Sequence, residues 1–253
     1  MEPQLDLVRE ATTIVDSARE AGITIRILGG LAVYFRCMNA EGPCPRREFS
    51  DLDFVMYSEH ASALADPMKR LGYHPNVRFN ALYGARRLLY QNTATGTHFD
   101  VMLDKFQMCH TLSLVGRLEM DDYTINLADL LLTKVQIVQL TEKDLRDIYN
   151  LLTNFDLAEG PSKTAIDKTY VAEVCGKDWG WYRTVTQNLE GALRFGREDL
   201  PADEHKVLDA RVRGIEAAIE AVEKPLSWKL RAVVGDKVRW YEIPEEPDTD
   251  RPV

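Results

Sequence analysis

The chain has 253 residues, 45% of them hydrophobic, and a formal net charge of -9. The hydrophobic fraction suffices for a packed core, so a disordered chain is not expected. The negative charge argues against nonspecific binding along DNA, which needs lysines and arginines to release counterions from phosphates.

The N-terminal region predicts a helix, a strand, a glycine pair and a second helix. Residues 4–21 have apolar side chains at helical spacing, and ITIRIL then forms a strand that stops at Gly29 and Gly30, before LAVYFRCM resumes helical composition. Glycines after a strand let the backbone approach a phosphate, and the following helix offers unpaired N–H groups. Gly29 and Gly30 are therefore candidates for holding a triphosphate. The alternative is a plain turn that starts a helix.

The next predicted strand, DLDFVMY, carries Asp51 and Asp53 on one face, because side chains alternate along a strand. It follows residues 39–49, whose glycine and two prolines predict a surface loop. Arg46 and Arg47 in that loop are weak candidates for contacting phosphates or an acceptor. Two aspartates in a strand more often form a solvent-facing edge than a metal site, so the pair alone proves little.

Further along, residues 60–71 predict a helix and residues 81–91 predict a strand. Arg86 and Arg87 in that strand are weaker candidates for the functional site. The segment HFDVMLD predicts another strand, with Asp100 near its centre. After a strand-like YTIN, the run LADLLLTKVQIVQL and the segment KDLRDIYNLL predict helices. More helices are expected near 163–175, 180–195, 204–223 and 226–234. The fold class is therefore α+β, a short mixed sheet flanked by helices and followed by a mostly helical region.

We expect a catalytic domain over 1–120, a helical domain over 121–240 and an acidic, flexible tail over 241–253. No apolar run approaches the roughly 20 residues that cross a bilayer, and the first residues lack a signal-peptide pattern. The expected location is the cytoplasm, without membrane contact.

Asp51, Asp53 and Asp100 together offer the oxygen ligands that Mg²⁺ or Mn²⁺ prefers. Two such ions about 4 Å apart can neutralise a triphosphate and place an attacking oxygen. These three residues are the predicted metal ligands and catalytic carboxylates, Asp100 serving the acceptor side.

The order of glycine pair, Asp-x-Asp and third carboxylate resembles the DNA polymerase β-like nucleotidyltransferase superfamily over roughly residues 23–155. Within it, the segments LGGLAVYF, FSDLDFVM, FDVML and LADLLLTKVQIVQLTEKDLRDIYNLL are most similar to the abortive-infection toxin type of type IV toxin–antitoxin systems. The resemblance implies a nucleotidyltransferase fold and metal-dependent transfer of a nucleoside monophosphate from a nucleoside triphosphate to a hydroxyl, releasing pyrophosphate. It also implies an antitoxin-type partner, and it adds Ser50 to the nucleotide-binding residues.

Lys134 is the one cation in the apolar run LLLTKVQIV, so either its stem reaches outward or its ammonium meets an anion. The resemblance places Lys134 at the active site, on nucleotide phosphates, and gives Asp144 a nucleotide-binding role. Asp144 and Asp147 begin the next predicted helix, where negative charge is favourable. For Asp147 we expect that helix-start role alone. Thr141 stands where toxin-type relatives often carry arginine, and the segment from Gly30 to Asp51 is longer than theirs.

The acceptor stays open between tRNA, a protein hydroxyl and a small hydroxylated molecule. Two other functions remain compatible with the sequence. One is a catalytically silent nucleotide- or partner-binding protein on the same fold. The other is a metal-dependent phosphohydrolase, in which water attacks.

Overall fold

A five-stranded mixed sheet is the centre of the N-terminal half in the computed structural model, which describes residues 2–40, 42–44, 49 and 51–244. The spatial order is β1-β2-β5-β4-β3. Strands β2 and β5 run parallel, whereas the other neighbouring pairs are antiparallel. The strands are β1 (Ile25–Leu28), β2 (Leu52–Met56), β3 (Tyr73–Pro75), β4 (Arg87–Asn92) and β5 (His98–Leu103).

Four helices accompany this sheet in sequence: α1 (Glu2–Glu20), α2 (Gly29–Cys37), α3 (Ala65–Arg70) and α4 (Val77–Tyr83). Helix α2 begins directly where β1 ends. Its apolar residues, among them Leu31 and Val33, are buried in the same core as Phe54 of β2 and Phe99 of β5. The first residues of α2 therefore lie next to β2.

The rest of the described chain is mostly helical. A hairpin of β6 (Lys105–Gln107) and β7 (Thr111–Ser113) leads into α5 (Leu127–Val135) and α6 (Glu142–Asn154). A short ladder of β8 (Leu157–Ala158) and β9 (Ile166–Asp167) precedes α7 (Lys168–Lys177), α8 (Trp179–Asp199), α9 (Ala202–Ala221) and α10 (Leu226–Val234). The predicted α+β class, a mixed sheet flanked by helices and followed by a helical region, is confirmed. The boundary near residue 120 stays a prediction.

The strand predicted over 81–91 is wrong in its first half. Residues up to Tyr83 belong to α4, and β4 starts only at Arg87. The side chain of Asn76 accepts a hydrogen bond from the Phe79 N–H and so caps α4, while the buried Phe79 ring anchors it. The capping bond favours a helix at this point, and the composition of residues 81–91 alone does not indicate where the helix ends and the strand begins.

Four other predicted elements are shorter in the structure. The helix expected over 60–71 is a single 3-10 turn at Ser58–His60 followed by α3, and the strand expected at YTIN forms one isolated bridge between Ile27 and Thr124. The helix expected over 127–140 ends at Val135. The helix expected from residue 163 begins at Lys168, where the side chain of Asp167 caps it.

The predicted flexible tail is attached at its beginning. The backbone N–H of Glu242 donates to the Cys109 carbonyl over 2.9 Å, and Gln107 Nε2 donates to Glu242 Oε2 over 2.8 Å. These bonds hold residue 242 against the β6–β7 hairpin, and the flexible tail stays a prediction. Residues 245–253 lie outside the described part. Over the described residues, none of the helices is both long and apolar enough to span a bilayer.

Candidate active site

Asp53 and Asp100 are direct neighbours on the two central strands. The parallel register of β2 and β5 pairs Asp53 with Asp100, so both side chains leave the same face of the sheet. Both residues are half-buried. Two of the three predicted carboxylates are thus brought together from distant parts of the sequence.

Gly29 lies against the Asp53 carboxylate. It has a φ of +73°, and a Cβ added there would be 2.6 Å from Asp53 Oδ2. A side chain at this position would therefore be strained by the backbone and would collide with the carboxylate. Gly30 follows in the first turn of α2. The predicted glycine pair is thus at the helix start and next to the carboxylates.

Asp53 is held in an environment that disfavours its charge. Its pKa is raised from 3.8 to about 6, first by burial and then by repulsion from Asp100 and Asp51. Lys134 and Arg87 act in the opposite direction and lower this pKa. Burial and the two neighbouring carboxylates together outweigh these cations in setting the Asp53 pKa.

Arg87 is part of this cluster. Its Nε donates to Asp100 Oδ1 over 2.8 Å, and both side chains are mostly shielded from solvent. Arg87 opens β4, which pairs antiparallel with β5. Arg87 is one of the weaker candidates from the sequence, and the pairing of β4 with β5 gives it a carboxylate partner.

Lys134 meets an anion, which decides between the two alternatives for its side chain. Its Nζ lies 2.8 Å from Asp147 Oδ2 and 4.0 Å from Asp144 Oδ1, and the residue is buried. Asp147 is fully buried, so the expectation of a simple helix-start role for it was wrong. Helix α6 turns this residue toward α5 instead of toward solvent. The signal in the sequence was the lone cation of an apolar helix, which requires a buried partner.

Asp144 does occupy a helix start. The Thr141 N–H donates to Asp144 Oδ2 over 3.1 Å, and the Asp144 N–H donates to Thr141 Oγ1 over 3.4 Å, which together form a capping box. The capping accounts for an aspartate here without a ligand. Its predicted contact with nucleotide stays a prediction.

Asp51 precedes β2 and is exposed, close enough to raise the pKa of Asp53. Ser50, Arg46 and Arg47 lie outside the described residues. Within the described ranges, no group of three or more histidine, cysteine, aspartate and glutamate side chains is arranged to hold a metal ion. The structure pairs Asp53 with Asp100 and places Asp51 near Asp53, and metal binding by the three carboxylates stays a prediction.

The Asp53–Asp100 pair has the donor chemistry for a hard divalent cation. Carboxylate oxygens are the ligands that Mg²⁺ and Mn²⁺ prefer, and a cation beside Asp53 would relieve the repulsion that raises its pKa. Gly29 leaves the Asp53 carboxylate room that a side chain would fill. Asp53 and Asp100, with Asp51 beside them, are the residues that would hold such an ion.

No protein-family model matches the chain, and no curated protein matches it significantly. Among solved structures, the chain is similar to the lincosamide antibiotic adenylyltransferase LnuA in its lincomycin-bound form, at 17% identity and a TM-score of 0.40, over 60% of this chain and 96% of that one. It is also similar to the antibiotic-resistance factor ANT(2'')-Ia in solution, at 13% identity and a TM-score of 0.38, over 84% and 96% of the two chains. A crystal structure of ANT(2")-Ia with adenylyl-2"-tobramycin gives 12% identity and a TM-score of 0.38, over 58% and 88%.

Proposed function

We propose that the chain transfers a nucleoside monophosphate from a nucleoside triphosphate to an acceptor hydroxyl and releases pyrophosphate. The observation that carries this proposal is the register pairing of Asp53 with Asp100 beside Gly29. It supplies two adjacent carboxylates next to a glycine-started helix, which are the parts that phosphoryl-transfer chemistry needs.

Each part has a role in this reaction. Gly29 and Gly30 would hold the triphosphate against the start of α2, whose N–H groups favour anions. Asp51, Asp53 and Asp100 would hold Mg²⁺ or Mn²⁺, which supplies charge neutralisation for the triphosphate when bound. Lys134 adds positive charge that acts on Asp53.

The bond changes follow from this placement. The acceptor oxygen bonds to the α-phosphorus, the bond from the α-phosphorus to the bridging oxygen breaks, and pyrophosphate leaves. Asp100, on the β4 side of Asp53, would accept the proton of the acceptor hydroxyl. A nucleotide contact of Asp144, which lies 4.0 Å from Lys134, rests on the sequence resemblance. Ser50 enters through the sequence resemblance only, as do toxin-type activity and an antitoxin-type partner.

The test uses the purified full chain, Mg²⁺ and nucleoside triphosphates labelled at the α-phosphate. Cell extract is separated into RNA, protein and small-molecule fractions, and each is supplied as acceptor. We expect label transfer with release of pyrophosphate, lost by at least about 100-fold in Asp53→Asn. Asp66→Asn, an exposed aspartate of α3, is the matched control.

Other outcomes of this experiment would support one of the two alternative functions. Nucleoside monophosphate formed without any acceptor would identify a phosphohydrolase. Metal-dependent nucleotide binding without turnover would identify a silent binding protein. Absence of nucleotide binding would overturn the proposal.

A further inference from the structure

A cavity of about 410 Å³ lies where β4 starts and β5 ends. Arg87, which donates to Asp100, is also part of the cavity wall, and so is Met102, two residues after Asp100 on β5. The volume is within the range of pockets that bind small molecules. A molecule in this cavity would be one side chain away from Asp100.

The cavity wall contains more cationic than anionic side chains. Its cations are Arg86, Arg87 and Lys105, and its carboxylate is that of Glu242. Glu242 already accepts a hydrogen bond from Gln107. Arg87 forms an ion pair with Asp100, whereas Arg86 and Lys105 have no carboxylate partner among the residues that the structure describes. Two cations thus remain for an anionic group of a ligand.

The cavity wall also has an apolar part. Tyr83, Met102 and Ile243 contribute to it alongside the cations. Lys105 is half-buried, so part of its side chain packs into this wall. A ligand with an acidic group at one end and a carbon skeleton at the other matches this wall.

The strand order separates the cavity from the glycine pair. Gly29 follows β1, whereas Arg86 and Arg87 lie at the start of β4, and β2 and β5 with their carboxylates run between them. A triphosphate held at Gly29 therefore lies on the other side of Asp53 and Asp100. The cavity is on the side where the second reactant must approach.

Resting on the proposed function, we infer that this cavity binds the acceptor, and that the acceptor is a small hydroxylated molecule with a phosphate or carboxylate group. Its acidic group would lie on Arg86 and Lys105, with its hydroxyl toward Asp100. In the transfer, the hydroxyl oxygen bonds to the α-phosphorus of the triphosphate, pyrophosphate leaves, and the hydroxyl proton passes to Asp100. The same cations disfavour a polycationic acceptor.

The test compares three probes that share one sugar ring: glucose 6-phosphate, glucose and glucosamine. Each is titrated into the full chain without nucleotide, and binding is followed by calorimetry. We expect glucose 6-phosphate to bind roughly ten-fold or more tightly than glucose, and glucosamine to bind most weakly. Equal affinity for the three probes, or preference for glucosamine, would overturn the inference.

Two variants connect the binding to the cavity. Arg86→Ala and Lys105→Ala should each weaken binding of glucose 6-phosphate roughly ten-fold, whereas Arg78→Ala, an exposed arginine of the neighbouring α4, should leave it unchanged. Thermal unfolding of each variant checks that the fold is retained. Unchanged binding in both folded cavity variants counts against the cavity as the site.

Two further measurements separate this inference from the proposed function. Mg²⁺-dependent ATP binding, lost in Asp53→Asn, tests the nucleotide site alone, so a normal ATP site without anion preference in the cavity overturns only the acceptor assignment. Displacement of glucose 6-phosphate by pyrophosphate would assign Arg86 and Lys105 to the triphosphate instead. Label transfer to RNA that depends on these two residues would replace the small-molecule acceptor by an RNA end.

Discussion

Arg87 donates from Nε to Oδ1 of Asp100 over 2.8 Å, and Asp100 is the register partner of Asp53. One of the two adjacent carboxylates is therefore already shared with a cation of the chain. A divalent ion at Asp53 and Asp100 would compete with this guanidinium for the same oxygen, because an arginine–carboxylate hydrogen bond is strong when shielded from solvent.

Arg87→Ala should therefore change the response of the cluster to cations. The pKa of Asp53 should rise further, because Arg87 lowers it in the native chain. Mg²⁺ should bind several-fold more tightly, since Asp100 Oδ1 becomes available. Calorimetric titration of Mg²⁺ measures the affinity, with Arg78→Ala as control. Weaker Mg²⁺ binding in the folded variant would contradict the competition.

Asp53→Asn should stabilise the metal-free chain at neutral pH. The folded pKa of about 6 lies above the ordinary 3.8, so the folded state holds the Asp53 proton more tightly than the unfolded state. Stability from this residue is thus present at acidic pH and is lost as pH rises from about 4 through about 6. The loss amounts to at most about 3 kcal/mol. Asp53→Asn removes this loss of stability, because asparagine does not ionise.

The measurement is chemical unfolding of both chains between pH 4 and pH 8 without divalent ions. The difference in unfolding free energy should be largest above pH 7 and should shrink toward pH 4. A difference that is constant across this range would show that Asp53 ionises normally. Added Mg²⁺ should stabilise the native chain and leave Asp53→Asn unaffected.

Gly29→Ala should abolish transfer, because the new Cβ would lie 2.6 Å from Asp53 Oδ2 and force the carboxylate to move. Gly96→Ala is the matched control: its φ of +77° imposes a similar backbone strain, with nothing within 4 Å of the added Cβ. Both should lose about 1 kcal/mol of stability from the backbone, and only Gly29→Ala should also lose Mg²⁺ binding. Normal transfer by a folded Gly29→Ala chain would refute the close approach.

Lys134→Met should destabilise the fold by up to about 3–5 kcal/mol, because it removes the cation that lies 2.8 Å from the fully buried Asp147. Asp147→Asn introduced together with Lys134→Met should restore most of that stability. Under the proposed function, the double variant should fold and still fail to transfer. Chemical unfolding and label transfer measure the two effects separately. A double variant as unstable as Lys134→Met alone would show that the ion pair is not the cause.

The local pattern predicted much of the sheet and most helices. Alternation in HFDVMLD and helical spacing in residues 4–21 each depend on a short stretch of chain, and both elements appear as β5 and α1. The strand expected over 81–91 starts only at Arg87, because the hydrogen bond from the Phe79 N–H to Asn76 starts a helix that occupies the residues before it.

The site was predictable by residue type and less so by arrangement. Asp53, Asp100 and Gly29 were chosen from the sequence, and the parallel register of β2 and β5 brings the two carboxylates together. The partners of these residues depend on packing between distant elements. Asp147 looked like a surface residue at a helix start until α6 was seen to pack against α5, and Arg87 gained Asp100 only through the pairing of β4 with β5.

The backbone ladder between β2 and β5 fixes the spacing of Asp53 and Asp100 at the centre of the sheet. Neither loop movement nor helix rotation can separate these two positions without breaking that ladder. Any adjustment to a bound molecule must therefore come from the surroundings, such as Lys134 on α5 or the Glu242 segment over the hairpin. The two carboxylates stay fixed in position, so adaptation to different reactants depends on the elements that cover them.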